Sequence, residues 1–465
     1  MKSLSFAALA LTIVMAAPAA AAPAPDVARA QAIQAAGDYV AAAKIYDAVL
    51  ARDPNNLAAL LAISGMSLDL EELDGALAYA QAAVRVAPDD PDAVAARGLA
   101  YAALGQTDKA RADFEKALAK GPHAKALEGR AWLFDDAGDH ARALEDFQAA
   151  YRTDPTQLNA LISSGWQLVQ LGRPDEAMVI YDQALSAEPE SYYALVSKGR
   201  LLSEQGEFQA AATVYRTAVR AYPEDDEFQV SLGDALLGEG SADKAMGAYE
   251  KAVRLNPKSL DGWWRQADLL AAEGRWKQAI NAYDRAVQID PVNVLLLVDR
   301  GMARTGASDV GGGRADVEAA LKIEPRSAYA LSARGRLELA AEHYDAAVRD
   351  FGAAISSAPT YYPAFANRSL AYIELGRFDR ALKDINQAIA LAPDTPSYVA
   401  MKGSIYSRMG DHLQAVEAFD ASLKGGPDDA SVWWARAKSK AELGDVAGAE
   451  ADKAQALRLD PEIGA

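Results

Sequence analysis

The sequence predicts an all-α chain, a solenoid of tandem antiparallel helix hairpins. Three observations carry this expectation. Prolines fall at 54, 88, 122, 155, 189, 223, 257, 291, 325, 359, 393, 427 and 461, always 34 apart except for 33 between Pro122 and Pro155. Small and aromatic residues recur in fixed columns relative to those prolines. Alanine, the best helix former, is the commonest residue, and β-branched runs are rare.

Counting back from each proline gives thirteen units over 23–463. They are 23–56, 57–90, 91–123, 124–157, 158–191, 192–225, 226–259, 260–293, 294–327, 328–361, 362–395, 396–429 and 430–463, numbered here as repeats 1 to 13. In each first helix a small residue such as Gly98, Gly165 or Gly335 stands 24 positions before the proline. In twelve of the thirteen second helices an alanine stands 12 before it, and in nine an aromatic, such as Tyr46, Phe114 or Phe351, stands 8 before it. Small residues let two helices approach, and the aromatic fills the space beside them. The apolar spacing of three, four and seven is that of a helix.

Each element also carries its own boundary signals. A glycine between the helices (Gly105, Gly138, Gly172) permits a left-handed C-cap. The proline ends the second helix, because it lacks a backbone donor. Two positions later comes an N-cap for the next first helix: Asn56, Asp90, Ser191, Asp225, Ser259, Asn293, Ser327, Thr395 and Asp429.

This pattern resembles the tetratricopeptide repeat family across nearly the whole chain. The resemblance implies hairpins stacked into a right-handed superhelix whose first helices line a concave groove. Two repeats depart from the pattern. In repeat 9, Arg304 takes an apolar position and Gly313 replaces the packing alanine, with Gly311 and Gly312 beside it. Each glycine costs about 1 kcal/mol against alanine in a helix interior, so a weak seam or hinge is expected at 304–314. In repeat 13, Lys440 and Lys453 stand where other repeats carry bulky apolar groups, which predicts a solvated end cap.

Bulk chemistry narrows the function. The 465-residue chain has a formal charge of −18, which argues against nonspecific nucleic-acid binding. It has no cysteine, so disulfides, thiol nucleophiles and cysteine-bound metals are excluded. His123, His140, His343 and His412 lie in separate repeats without metal-ligand spacing, and read as solvated turn residues. The acidic runs at 88–92 and 223–227 lack calcium-loop spacing and read as helix caps. The glycines of 306–313 fail as a phosphate loop, because Arg314 follows directly. No catalytic constellation, metal site or cofactor is expected.

A groove on the first helices is where binding should lie. Register places Trp132, Trp166, Tyr193, Trp264, Tyr329 and Trp434 there, with aliphatics including Ile162, Val230, Val298 and Ile373. Such a track suits an extended or helical peptide, although individual members can instead pack between neighbouring first helices. Trp263, Trp276 and Trp433 fall at core positions. Some family members grip C-terminal carboxylates through Lys, Asn and Arg on consecutive first helices. The matching positions here hold mostly Ala, Val, Leu, Ser and Asp, so no such clamp is expected.

Lys2, the apolar run 3–16 and the Ala/Pro stretch 17–24 read as a secretory signal peptide over 1–22, and hence a periplasmic protein. The alternative is an uncleaved inner-membrane tether, since residues 4–22 are just long enough to span. The functional expectation is a noncatalytic scaffold of the cell envelope that binds partner proteins. The alternative is a structural, self-associating component that uses its outer face or ends.

Overall fold

A computed structural model describes residues 25–425 and 428–464, so the leader read over 1–22 lies outside the described residues. Every regular element among them is helical. Twenty-six helices follow one another in pairs, from Pro25–Ala35 with Tyr39–Arg52 to Ala430–Glu442 with Val446–Leu459. The all-α hairpin array is therefore as expected. The chain divides into two compact units, one of residues up to Glu224 with Ala235–Ser241, the other of Asp225–Asp234 with Ala242–Ala465.

Hairpins form because each interior column does its packing work. Phe114, Phe147, Tyr181, Tyr249, Phe351 and Phe419 are sealed from solvent. The small column faces them: a Cβ on Gly98 would stand 2.7 Å from Phe114 Cε1, and one on Gly129 of the next repeat also 2.7 Å from that atom. The ring is thus held between two glycine-backed helices, and it ties its own hairpin to the following one.

The turn column behaves uniformly. Gly105, Gly138, Gly172 and their equivalents are left-handed, and so are Glu71, Ser308 and Glu342, which occupy the same register without being glycine. The caps are less uniform. Asn56 Oδ1 accepts from Ala59 N at 3.1 Å and Asp90 Oδ1 from Ala93 N at 2.9 Å, whereas Ser191 and Thr395 make no side-chain cap bond. Ser191 is buried.

Repeat 9 substitutes one kind of packing for another. Its helices Val294–Gly306 and Val310–Ile323 are both continuous. Val317 occupies the aromatic column and is fully buried. The space that a ring would fill is closed by backbone: a Cβ on Gly313 would lie 2.6 Å from Gly301 O and would also strike Thr305 Oγ1. Arg304 is not left unpaired in its apolar position, since Nη1 contacts Asp316 Oδ2 at 2.9 Å and Nη2 contacts Asp284 Oδ1 at 3.5 Å. The end cap also differs from expectation. Lys453 pairs with Glu450 at 2.8 Å near the surface, but Lys440 is tucked in, its Nζ 2.9 Å from the buried Asp452 carboxylate.

Candidate protein-binding face

First helices touch one another directly. In the first unit Leu57–Asp69 packs on Pro91–Ala103, which packs on Ala124–Asp136. In the second, Leu260–Ala272 packs on Val294–Gly306, and that on Ala328–Ala340. No two second helices are in comparable contact among the described residues. Within each unit the first helices therefore form the tighter, inner layer, and their remaining free side is the candidate face.

All six aromatic candidates are half-buried, neither core nor freely exposed. In the first unit, Trp132 meets Phe147 edge-to-face with centroids 5.0 Å apart, and its Nε1 is buried without an acceptor. Trp166 lies under the Arg200 guanidinium, 4.4 Å from the ring centroid. Tyr193 stands edge-on to Tyr192 at 5.5 Å. In the second unit, the structure brings Trp264 and Tyr329 to one carboxylate: Trp264 Nε1 donates to Asp299 Oδ2 at 3.0 Å, and Tyr329 OH donates to Asp299 Oδ1. Trp434 is covered by the chain itself near Gly464. Trp264, Tyr329 and Trp434 thus pack between neighbouring segments.

The aliphatic part of the track needs correction. Ile162, Val230, Val298 and Ile373 are buried, and for Ile162, Val298 and Ile373 neighbouring first helices close on each other there. The tryptophans expected in the core are half-buried, Trp263 and Trp276 against the buried cluster around Tyr283, and so is Trp433. Trp263 and Trp433 reach the surface with their Nε1 on Pro257 O (3.1 Å) and Asp428 Oδ1 (3.2 Å).

Charge organises the face in a way not anticipated from the sequence. In repeats 3, 4, 9, 10, 11 and 13 an arginine of the first helix grips an aspartate of the second, sixteen residues on. The pairs are Arg97–Asp113, Arg130–Asp146, Arg300–Asp316, Arg334–Asp350, Arg368–Asp384 and Arg436–Asp452, each two-pronged through Nε and Nη2. Planar two-point contact is the geometry guanidinium and carboxylate favour. Where the aspartate is missing the arginine is generally missing too: Leu232 stands with Ala248, Gln266 with Ala282 and Lys402 with Ala418, the exception being repeat 1, where Arg29 stands with Ile45. Those two columns, changing together at the repeat period, were the signal that would have revealed the pairs.

Other carboxylates have no such partner. Burial pushes Asp69 and Glu128 in the first unit up to about 7, with Lys125 pulling back only weakly. In the second unit burial pushes Asp268 up to about 6 and also raises Asp234 and Asp299.

His123 and His140 are half-buried and held, whereas His343 is exposed as expected, though paired. His123 Nδ1 caps its helix by accepting from Ala126 N, His140 Nδ1 lies 2.9 Å from Gln167 Oε1, and His343 Nδ1 2.8 Å from Glu338 Oε2. Among the described residues no group of three or more His, Asp or Glu is placed to hold a metal ion. The acidic runs do act as caps, through Asp90 and through Asp225, whose Oδ1 accepts from Phe228 N at 3.2 Å. Two open hollows of about 400 and 420 Å³ lie at hairpin turns, one around His140 and Leu171, the other around Tyr344 and Arg349. Neither includes an aromatic candidate.

Paired helices repeating on one register, with function left to the inner face, define a helical-repeat binding solenoid. The chain belongs to the tetratricopeptide repeat family: one model of that repeat matches 27–91, 164–226, 197–259, 230–294 and 400–462, and two others match 63–129 and 338–405. No curated protein matches the chain. Solved structures similar to it include a chain of the APC/C hetero-tetramer Cut9-Hcn1 (14% identity, 88% of this chain and 95% of that one, TM-score 0.46). Yeast Tom70 is similar at 14% identity, over 87% of this chain and 97% of that one, with a TM-score of 0.47. A tetratricopeptide repeat protein from Parabacteroides merdae ATCC 43184 is similar at 23% identity, over 53% and 98%, with a TM-score of 0.45. Proteins of this repeat fold generally serve as protein–protein interaction scaffolds.

Proposed function

We propose that this protein is an exported, noncatalytic scaffold of the cell envelope that captures peptides or helices of partner proteins on its first helices. The observation that carries the reading is the half-buried state of Trp132 and Trp166 on the inner layer of the first unit. Aromatic groups held by packing yet still reachable are the residues that dominate binding surfaces. The leader pattern at 1–22 supports export to the periplasm. No described helix is long and apolar enough to cross a membrane.

Affinity capture from the envelope fraction tests the proposal, with Trp132→Ala plus Trp166→Ala as the comparison. A partner recovered by the wild type and lost by the double variant supports it. A protein found in the cytoplasmic fraction, or a partner indifferent to both tryptophans, overturns it. Concentration-dependent oligomers insensitive to the two substitutions favour the self-associating, structural alternative.

A further inference from the structure

The inner face of the second unit carries a stretch whose occupant its charges specify. Trp264 on Leu260–Ala272 and Tyr329 on Ala328–Ala340 both converge on Asp299 of the helix between them. Their polar atoms are committed to that carboxylate, so both rings are fixed in place beside it. Asp268, on the same helix as Trp264, accepts from Tyr283 OH at 2.6 Å, and Asp234 accepts from Tyr249 OH at 2.8 Å.

These donors are neutral. They position the carboxylates without cancelling their charge. One cation is at hand: Arg265 Nε lies 3.3 Å from Asp234, half-exposed. Asp299 has none. Its neighbour Arg300 is engaged with Asp284 at 2.8 Å and with Asp316 at 2.7 Å. In repeats 7 and 8 the position that carries a gripping arginine elsewhere holds Leu232 and Gln266. Repeats 7 and 8 thus lack the two-pronged guanidinium, and in repeat 9 it is spent on Asp316 and Asp284 rather than on Asp299. All three aspartates remain half-buried, within reach of solvent.

These fixed acids are held by neutral donors, with the half-exposed Arg265 the one cation among the described residues acting on Asp234 and Asp268, and none on Asp299. Walled by a Trp and a Tyr ring, they are complementary to ammonium or guanidinium groups, which gain from both the carboxylate and the ring quadrupole. We propose that this face docks an extended partner segment bearing at least two lysine or arginine side chains, with Asp268 and Asp299 receiving the cations and Trp264 and Tyr329 flanking them. The proposal rests on the reading of the first-helix layer as a peptide-binding surface and names the partner chemistry in the second unit. Asp234, Asp261, Arg265, Tyr249, Tyr283, Tyr329 and Tyr361 are the other titratable groups whose charges or hydrogen bonds act on these two acids or on their partners.

Fluorescence anisotropy of labelled hexalysine on the full mature chain, at neutral pH and physiological salt, is the test. Asp268→Asn plus Asp299→Asn is expected to weaken binding roughly tenfold or more. A control, Asp108→Asn plus Asp175→Asn, removes the same charge from exposed sites and should leave binding within about twofold, because screened surface charge acts weakly. Carbodiimide coupling of hexalysine to the wild type, mapped by mass spectrometry, needs no variant, and its links should land on Asp234, Asp268 or Asp299. Equal losses in both variants, no loss in either, or links confined to other carboxylates overturn the proposal. If these arms fail while the captured partner still requires Trp132 and Trp166, the charge assignment falls and the scaffold reading stands. If both are indifferent, both fall.

Discussion

Gly313 faces Gly301 across the ninth hairpin so closely that a Cβ on Gly313 would stand 2.6 Å from the Gly301 carbonyl oxygen. Gly311, two residues earlier, has nothing within 4 Å of a Cβ. The two glycines therefore respond oppositely to one added methyl. Gly311→Ala should stabilise the chain by up to about 1 kcal/mol through helix propensity. Gly313→Ala should destabilise it by about 1–3 kcal/mol, because the backbones must separate. Urea denaturation of the two single variants checks this. Native-state hydrogen exchange decides whether 304–314 is a seam: the expected outcome is faster exchange there than in the flanking repeats.

The turn column offers a gain. Glu71 and Glu342 both sit at φ 60°, in a left-handed conformation that costs an L side chain about 1–2 kcal/mol. Glu71→Gly and Glu342→Gly should each raise stability by about 0.5–1 kcal/mol, the strain relieved less the extra chain entropy. Gly105→Ala, at φ 69°, should lower it. Thermal melts of the three variants suffice.

The arginine–aspartate pairs should behave as units. Arg368 and Asp384 have side-chain exposures of 20% and 6%. Asp384→Ala alone leaves a half-buried guanidinium unmatched and should cost about 2–3 kcal/mol. Adding Arg368→Leu recreates the Leu232 and Ala248 combination found in repeat 7 and should recover most of that loss. A double-mutant cycle by denaturant titration reads the coupling.

Stability should fall as pH rises from about 4 to 7. Glu128 and Asp69 are pushed up to about 7 and Asp268 up to about 6 in the folded chain. Between the ordinary carboxylate value and those raised ones the folded state holds more protons, so each group favours the fold at low pH and ceases to do so as it ionises. Glu128→Gln should remove part of that slope and raise stability above pH 7. Melting temperatures across this range check the sign. Carboxylates held low, such as Asp452 beside Arg436 and Lys440, act oppositely and only in more acidic solution.

Much of the architecture was legible because it repeats. A proline at position n and a glycine at n−17 state helix boundaries in local chemistry, and repetition averages out exceptions. What escaped was pairwise. Ser191 and Thr395 look like caps by residue type, yet their hydroxyls do not bond the helix end. Val298 shares the register expected of groove residues, but the neighbouring first helix covers it. The raised acids Glu128 and Asp268 could not be read from position alone, since their state depends on which side chains the adjacent hairpins contribute.

The gripping pairs also bear on how such an array changes length. Both charges of Arg97–Asp113, Arg130–Asp146, Arg334–Asp350 and Arg368–Asp384 belong to a single hairpin, so losing or duplicating that hairpin as a block strands neither partner. Arg300 and Arg436 each reach back as well to an aspartate of the preceding hairpin, Asp284 and Asp420. Excisions that separate repeat 8 from 9, or 12 from 13, would abandon a charge. Of the six gripping pairs, only these two are tied across a repeat boundary in this way.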